Sequence, residues 1–147
     1  AVIDKNGLDI LSAAIMMEDR MIEAVSKILF GSSAENKEKR DFFINQIMST
    51  SDFSYAFKRR AFTRLLEQER ILDAEKTKQL KAGLNKIMDW RNAFAHGKVI
   101  HEMGAGFLLR YYSGEHKEIV LNDSFFEIVE STIRDCLITC NGIIQSR

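Results

Sequence analysis

Met88-Asp89-Trp90-Arg91-Asn92-Ala93-Phe94-Ala95-His96-Gly97 closes a long helical pattern and precedes a change in sequence character. Asn92 and His96 are four residues apart, so on a helix they share one face. Arg91 is five residues before His96, about 140° away around the axis, but its long side chain can swing towards the same patch. Gly97 stands where a helix C-terminus calls for a residue at positive φ. His96 is therefore expected in the last turn, where unpaired carbonyls and the negative dipole end favour a cation. A guanidinium, an amide and a titratable imidazole at a helix end suit phosphate chemistry.

Upstream, apolar residues recur with helical spacing. Leu11, Ile15, Met21, Ile22, Val25, Ile28 and Leu29 predict a helix from about Leu8 to Phe30, closed by Gly31-Ser32-Ser33. Ala34 to Met48 reads as a second helix, charged at its start and ending in Phe42, Phe43, Ile47 and Met48. The turn and cap residues Ser49-Thr50-Ser51-Asp52 separate it from a third helix, roughly Ser54 to Leu72. Phe57, Ala61, Phe62, Leu65 and Leu66 form the apolar stripe of that helix. Lys58, Arg59, Arg60 and Arg64 give it a basic side. Asp73 is placed to cap the fourth helix, which carries Leu80, Leu84, Ile87, Met88 and Phe94 and ends at the quoted stretch.

Downstream the pattern changes. Gly104 and Gly106 loosen the chain, and Phe107 to Tyr112 and Glu118 to Leu121 are rich in strand formers. With Ser113-Gly114-Glu115 between them they predict a small β-hairpin, which must pack on the helices to be stable. Asn122-Asp123-Ser124 opens the last helix, with Ser124 and Glu127 spaced as a capping box. Phe126, Val129, Ile133, Cys136, Leu137, Cys140 and Ile144 continue its stripe. The expectation is one all-α domain over 1–147, a bundle of about five helices with a hairpin between the last two. Its core should include Ile15, Ile22, Phe62, Leu65, Leu84, Ile87, Val129 and Ile133.

Composition narrows the function. The 147 residues are 46% apolar and 29% charged, a soluble globular composition. The formal net charge of zero argues against strong nonspecific nucleic-acid binding, which needs many phosphate-neutralising cations. There is no proline, so nothing interrupts long helices. Cys136 and Cys140 do not match a common metal motif, and a helix holds them too far apart for an easy disulfide, so they read as core packing. No signal-peptide pattern and no bilayer-spanning apolar run is read, so a cytoplasmic location and no membrane partner are expected.

Arg91-Asn92-Ala93-Phe94-Ala95-His96-Gly97 resembles the Arg-polar-spacer-His signature of the HEPN superfamily, the higher-eukaryote and prokaryote nucleotide-binding domains. The helical layout of nearly the whole chain is also similar to that of its members. The resemblance implies a small HEPN-like helical bundle. It further implies a metal-independent RNase, with a toxin or defence effector among the roles it allows, with Arg91, Asn92 and His96 as its catalytic set and no cofactor. A histidine can take the 2′-hydroxyl proton or protonate the leaving 5′-oxygen. An arginine can hold the phosphate and stabilise its growing charge, and an asparagine can orient either partner. HEPN proteins commonly dimerise with their motif helices facing each other, so the resemblance implies a homodimer whose two copies complete each site. It leaves room for a nucleotidyltransferase-like antitoxin as a partner.

Blander readings stand beside these. Arg91 can pair with an acid, Asn92 cap a carbonyl and His96 be a satisfied helix-end residue. Trp90 and Phe94 can stack on a base, or pack in a core or dimer interface. Lys58, Arg59, Arg60 and Arg64, with Lys78, Lys81 and Lys86, can form an RNA-approach surface, or simply a solvated face. His101 and His116 lack a matching ligand set and take no role. Two other functions stay open: a non-catalytic HEPN-like module binding a nucleotide, RNA or protein partner, and a helical transcription-regulator-like protein.

Overall fold

The computed structural model describes residues 2–147, with side chains from residue 9 onward. Among the described residues there are five α-helices and one three-stranded antiparallel sheet. Helix α1 runs Val2–Phe30. A short helical segment follows, made of a 3₁₀ turn Ala34–Asn36, helix α2 Lys37–Phe42 and a π-helical turn Phe43–Met48. Helix α3 is Tyr55–Gln68 and α4 is Ala74–His96. Strands β1 Lys98–Glu102, β2 Gly106–Tyr112 and β3 His116–Val120 precede α5, Asp123–Gln145.

The caps follow local chemistry. Ser54 accepts from the Phe57 amide and Asp73 from the Lys76 amide at 2.7 Å, each satisfying an unpaired first-turn N–H. At α5 the cap is Asn122, which accepts from the Phe125 amide at 2.9 Å. This replaces the expected capping box: α5 begins one residue before Ser124, which puts Ser124 inside the helix.

Three further expectations are corrected. The second helix is not uniformly α-helical, because the wider π turn re-aims its last residues. Phe43 sits edge-to-face on Phe30 at 5.6 Å and Met48 is buried, while Phe42 is left 60% exposed. Helix α3 stops at Gln68, short of Leu72. Arg70 takes φ 51°, and the Ile71 amide reaches back to the Leu66 carbonyl at 3.1 Å. That left-handed turn lays Ile71 and Leu72 against the core. The hairpin is a three-stranded sheet. Lys98–Glu102 pairs with β2 in the register Val99↔Leu109 and Ile100↔Leu108, and only its central Ile100 is half-buried. An edge strand with charged ends lacks the half-buried alternation by which a strand is read from sequence.

The main core joins α1, α3, α4 and α5. Ala14, Met17, Met21, Phe62, Leu66, Leu84, Ile87 and Cys140 are closed to solvent there. Of the expected core, Ile22, Phe62, Leu84, Ile87 and Val129 are buried, and Leu65 and Ile133 pack at its margin. Ile15 is not core: it is 59% exposed. The inward stripe of α1 is Ile10, Ala14, Met17, Met21 and Ala24, and Ile15 lies on its flank. The segment ending at Met48 packs against the far end of α1, where Phe43 meets Phe30, and leaves the Ile15 turn open.

A second, smaller core sits where the sheet meets the helices. Ala93 of α4, Leu109 of β2 and Leu121 are buried together, ringed by Phe94, Tyr111, Ile119, Phe125 and Phe126. The last turn of α4 is thereby held between the helical bundle and the sheet.

Candidate functional site

The α-helical pitch of α4 decides which of its side chains reach solvent. With about 100° per residue, Asn85, Asp89, Asn92 and His96 fall within about 60° of one another. All four are exposed. Leu84, Ile87 and Arg91 fall on the opposite flank, facing the core. The adjacent amide and imidazole therefore share one open face, as the spacing predicts.

Arg91 does not swing round to join them. It is half-buried, and its guanidinium carbon lies 5.8 Å from the centroid of the Tyr55 ring. That distance is a cation–π contact. Tyr55 is 3% exposed and donates its hydroxyl hydrogen bond to the Leu84 carbonyl at 3.3 Å. Burial pushes the Tyr55 phenol well above its ordinary range, the cysteine thiols and Glu18 add to the rise, and the charge of Arg59 opposes it. The hydroxyl therefore stays protonated and the ring is a fixed platform. Among the described residues Arg91 forms no ion pair, so its charge is available.

Gly97 departs from the expected positive φ. Its φ is −88° and ψ 178°, extended backbone that any residue adopts. The chain leaves α4 directly into β1, so it straightens rather than turning back. Glycine is needed there for space. A Cβ would stand 2.5 Å from the Ala93 carbonyl oxygen, 2.8 Å from that of Arg110 and 2.9 Å from Leu109 Cδ1.

The aromatic pair of the motif is used inside the chain. Trp90 meets Phe125 edge-to-face at 5.9 Å and Phe94 stacks on it at 6.3 Å. They tie α4 to α5 and orient the motif helix.

The basic side of α3 is not one surface. Lys58 is 5% exposed, and its ammonium donates to Glu18 of α1 at 2.8 Å. That ion pair takes Lys58 out of any RNA-facing patch. Arg59 is half-buried, whereas Arg60 and Arg64 are exposed. Lys81 pairs with Glu67 at 2.7 Å, and Lys78 and Lys86 are exposed. His101 and His116 lie against Phe107 and Tyr112 as cross-strand pairs. Cys136 and Cys140 are buried free thiols. Burial pushes them up to about 11 and about 12 respectively, which makes them inert.

Tyr55 and Glu18 are the residues that sequence reasoning missed. Tyr55 opens α3 and Arg91 lies near the end of α4, so no local spacing links them. Glu18 reaches Lys58 across forty positions. Among the described residues no three His, Cys, Asp or Glu side chains gather as a metal-ligand set. No helix among them is long and apolar enough to cross a membrane. Comparisons with protein-family models, with curated proteins and with solved structures return no match to this chain.

Proposed function

We propose that the chain is a metal-independent endoribonuclease of HEPN type, a toxin or defence effector in its biological setting. The observation that supports this most is the setting of His96 and Arg91 in the motif. His96 is exposed beside Asn92, and Arg91 is held on a tyrosine ring without an acid partner among the described residues. A purely structural arginine in a half-buried position would be expected to carry a carboxylate.

In this reading His96 accepts the 2′-hydroxyl proton as the 2′-oxygen attacks phosphorus. The bond from phosphorus to the 5′-oxygen breaks, and that oxygen leaves with a proton supplied by an imidazolium. Arg91 carries the charge that gathers on the phosphoryl oxygens. Asn92 orients the imidazole or the phosphate. The products are a 2′,3′-cyclic phosphate and a 5′-hydroxyl. One imidazole per chain supplies half of what the two proton transfers need. A homodimer with Arg91 and His96 near its two-fold axis supplies the rest. A nucleotidyltransferase-like antitoxin is the partner such a toxin would have.

A second reading has its own support. With Lys58 buried on Glu18 and zero net charge, the electrostatic pull on long RNA is small. That favours a non-catalytic HEPN-like module binding a nucleotide, a short RNA or a protein. RNA cleavage by wild type and His96→Ala in excess chelator separates the two. Cleavage lost on His96→Ala establishes the nuclease. Cleavage that needs an added divalent metal, or survives the substitution, sinks the mechanism. No cleavage from a well-folded dimer favours the binding module.

A further inference from the structure

Helix α3 turns one aromatic ring and two cations away from the core. At about 100° per residue, Phe57, Arg60 and Arg64 fall within about 60° of one another, on the side opposite the buried Tyr55, Phe62 and Leu66. All three are exposed, Phe57 by 41%. Spacings of three and four residues make them neighbours on the helix surface. The Phe57 ring is backed by Phe53 from the preceding loop, with centroids 4.7 Å apart and an angle of 22° between the planes. That stack fixes the ring and leaves part of it open to solvent. Arg60 and Arg64 form no ion pair among the described residues. The row is therefore an open aromatic surface followed by two guanidiniums without a carboxylate.

This row looks out on the same side of the molecule as the motif face of α4. Glu67 is seven residues beyond Arg60, within about 20° of it around α3. Its carboxylate pairs with Lys81 of α4 at 2.7 Å. Around α4, Lys81, Asn85, Asn92 and His96 fall within about 60° of one another. The Glu67–Lys81 bridge therefore joins the two helices on the side that carries both Arg60 and His96. The helices run antiparallel: Tyr55 at the start of α3 lies by Arg91, and Glu67 near its end lies by Lys81. From Arg64 through Arg60 to Phe57 the row thus runs towards the His96 end of α4. Lys81 neutralises Glu67, and Asp89 is the acid that the α4 face adds. The exposed cations Arg60, Arg64 and Lys78 outnumber it.

We propose that this row is a track for single-stranded RNA, with the Phe57 ring stacking on a base and Arg60 and Arg64 holding backbone phosphates on the way to His96. Every base has a face that stacks on an aromatic ring, and an unpaired strand can offer it. Each guanidinium offers paired N–H groups to phosphate oxygens. A duplex keeps its base faces inside its own stack, so it would meet the arginines alone. With zero net charge over the whole chain, attraction for phosphates has to come from a local excess such as this one. The proposal rests on the nuclease reading for its strand and its destination, and adds to it residues from outside the motif.

The test uses binding rather than cleavage. The probe is a labelled single-stranded oligoribonucleotide carrying 2′-O-methyl groups throughout, which keeps its bases and phosphates but has no 2′-hydroxyl to attack with. Its duplex with a complementary strand is the comparison. Fluorescence anisotropy over a range of salt concentrations should show wild type binding the single strand more tightly than the duplex. Phe57→Leu keeps an apolar contact with Phe53 but loses the flat face, so it should weaken single-strand binding roughly tenfold and leave the salt dependence unchanged. Phe57→Trp should restore the affinity. Arg60→Gln and Arg64→Gln should each weaken binding and make the slope of log affinity against log salt shallower by about 0.7. Lys86→Gln, in the groove between α4 and α5, should change neither. Wild-type binding by the Phe57→Leu and arginine variants overturns the proposal, as does equal affinity for strand and duplex. No binding even at low salt also overturns it and leaves the row to a protein partner. Binding that depends on Phe57, Arg60 and Arg64 in a protein that leaves natural RNA uncut sinks the nuclease and keeps the track. Cleavage that depends on His96, with all three variants binding normally, keeps the nuclease and sinks the track.

Discussion

A Cβ on Gly97 would stand 2.8 Å from the carbonyl oxygen of Arg110, so the end of the motif helix lies directly against the central strand of the sheet. The Gly97 amide closes the last helical turn on the Ala93 carbonyl at 2.7 Å. Ala93 is itself buried against Leu109. Helix end and sheet are therefore one packed unit, and His96 is carried on its edge.

That contact predicts a substitution effect. Gly97→Ala is compatible with the backbone angles but not with the space, because two of the three atoms in the way are backbone carbonyl oxygens. Overpacking of this kind costs about 1–3 kcal/mol. Urea denaturation of the variant should show the loss, and unchanged stability would mean that the sheet does not press on the helix end as described.

The Lys58–Glu18 pair predicts an asymmetry between single and double variants. Lys58→Met leaves Glu18 charged and without its partner at the α1–α3 contact, where the carboxylate side chain is only 19% exposed. Breaking such a pair costs about 3 kcal/mol, whereas replacing both members by apolar residues is close to neutral. Lys58→Met combined with Glu18→Leu should therefore recover most of what Lys58→Met loses. A single variant as stable as wild type would show that the pair is solvated. RNA binding, if any, should not depend on the Lys58 charge.

Alkaline pH should destabilise the fold through its buried thiols. In the unfolded chain Cys136 and Cys140 lose their protons near the ordinary thiol value of 9.0, while in the fold they hold them until about 11 and about 12. Between those limits the folded state binds more protons than the unfolded state. The stability from the protonated thiols is whole below pH 9 and is lost as pH rises through 11 and 12. The slope is on the order of 1 kcal/mol per pH unit for each thiol. Cys140→Ala should flatten the pH dependence of denaturation above pH 9, whatever it does to stability at neutral pH. Equal slopes in variant and wild type would contradict the burial of the thiol. At neutral pH neither thiol should react with a disulfide reagent until the protein unfolds.

The two motif residues should separate stability from activity. His96 is exposed, so His96→Ala should leave stability within about 0.5 kcal/mol of wild type. In a nuclease it should lower the cleavage rate by ~10²–10⁴-fold. Arg91→Lys keeps a charge but loses the flat guanidinium that lies over Tyr55, so it should lower both the melting temperature and the activity. Both effects are read from melting curves and single-turnover cleavage of a labelled RNA. An Arg91→Lys protein that melts and cleaves as wild type would remove the role assigned to the Tyr55 contact. Light scattering at high concentration adds the assembly arm: a monomer counts against the shared active site.

By itself the sequence determined what repeats at short range. The helix-spaced apolar residues of α1, α3, α4 and α5 each mark a face that must be buried, and Ser54 and Asp73 mark helix starts, because caps and stripes act within a few residues. The placing of Asn92 and His96 on one face of α4 needed nothing more than helical pitch. Tertiary structure decided the rest. Ile15 has the spacing of a core residue but no neighbour to cover it, and β1 is a strand because β2 lies beside it. Gly97 is a matter of room against Arg110 rather than of φ, and Lys58 is buried because Glu18 comes from another helix to meet it. Arg91 was legible as a cation near the motif, but its turn towards Tyr55 was not. A side chain settles on whichever surface the folded chain brings within its reach, and here that surface belongs to the start of the preceding helix, α3.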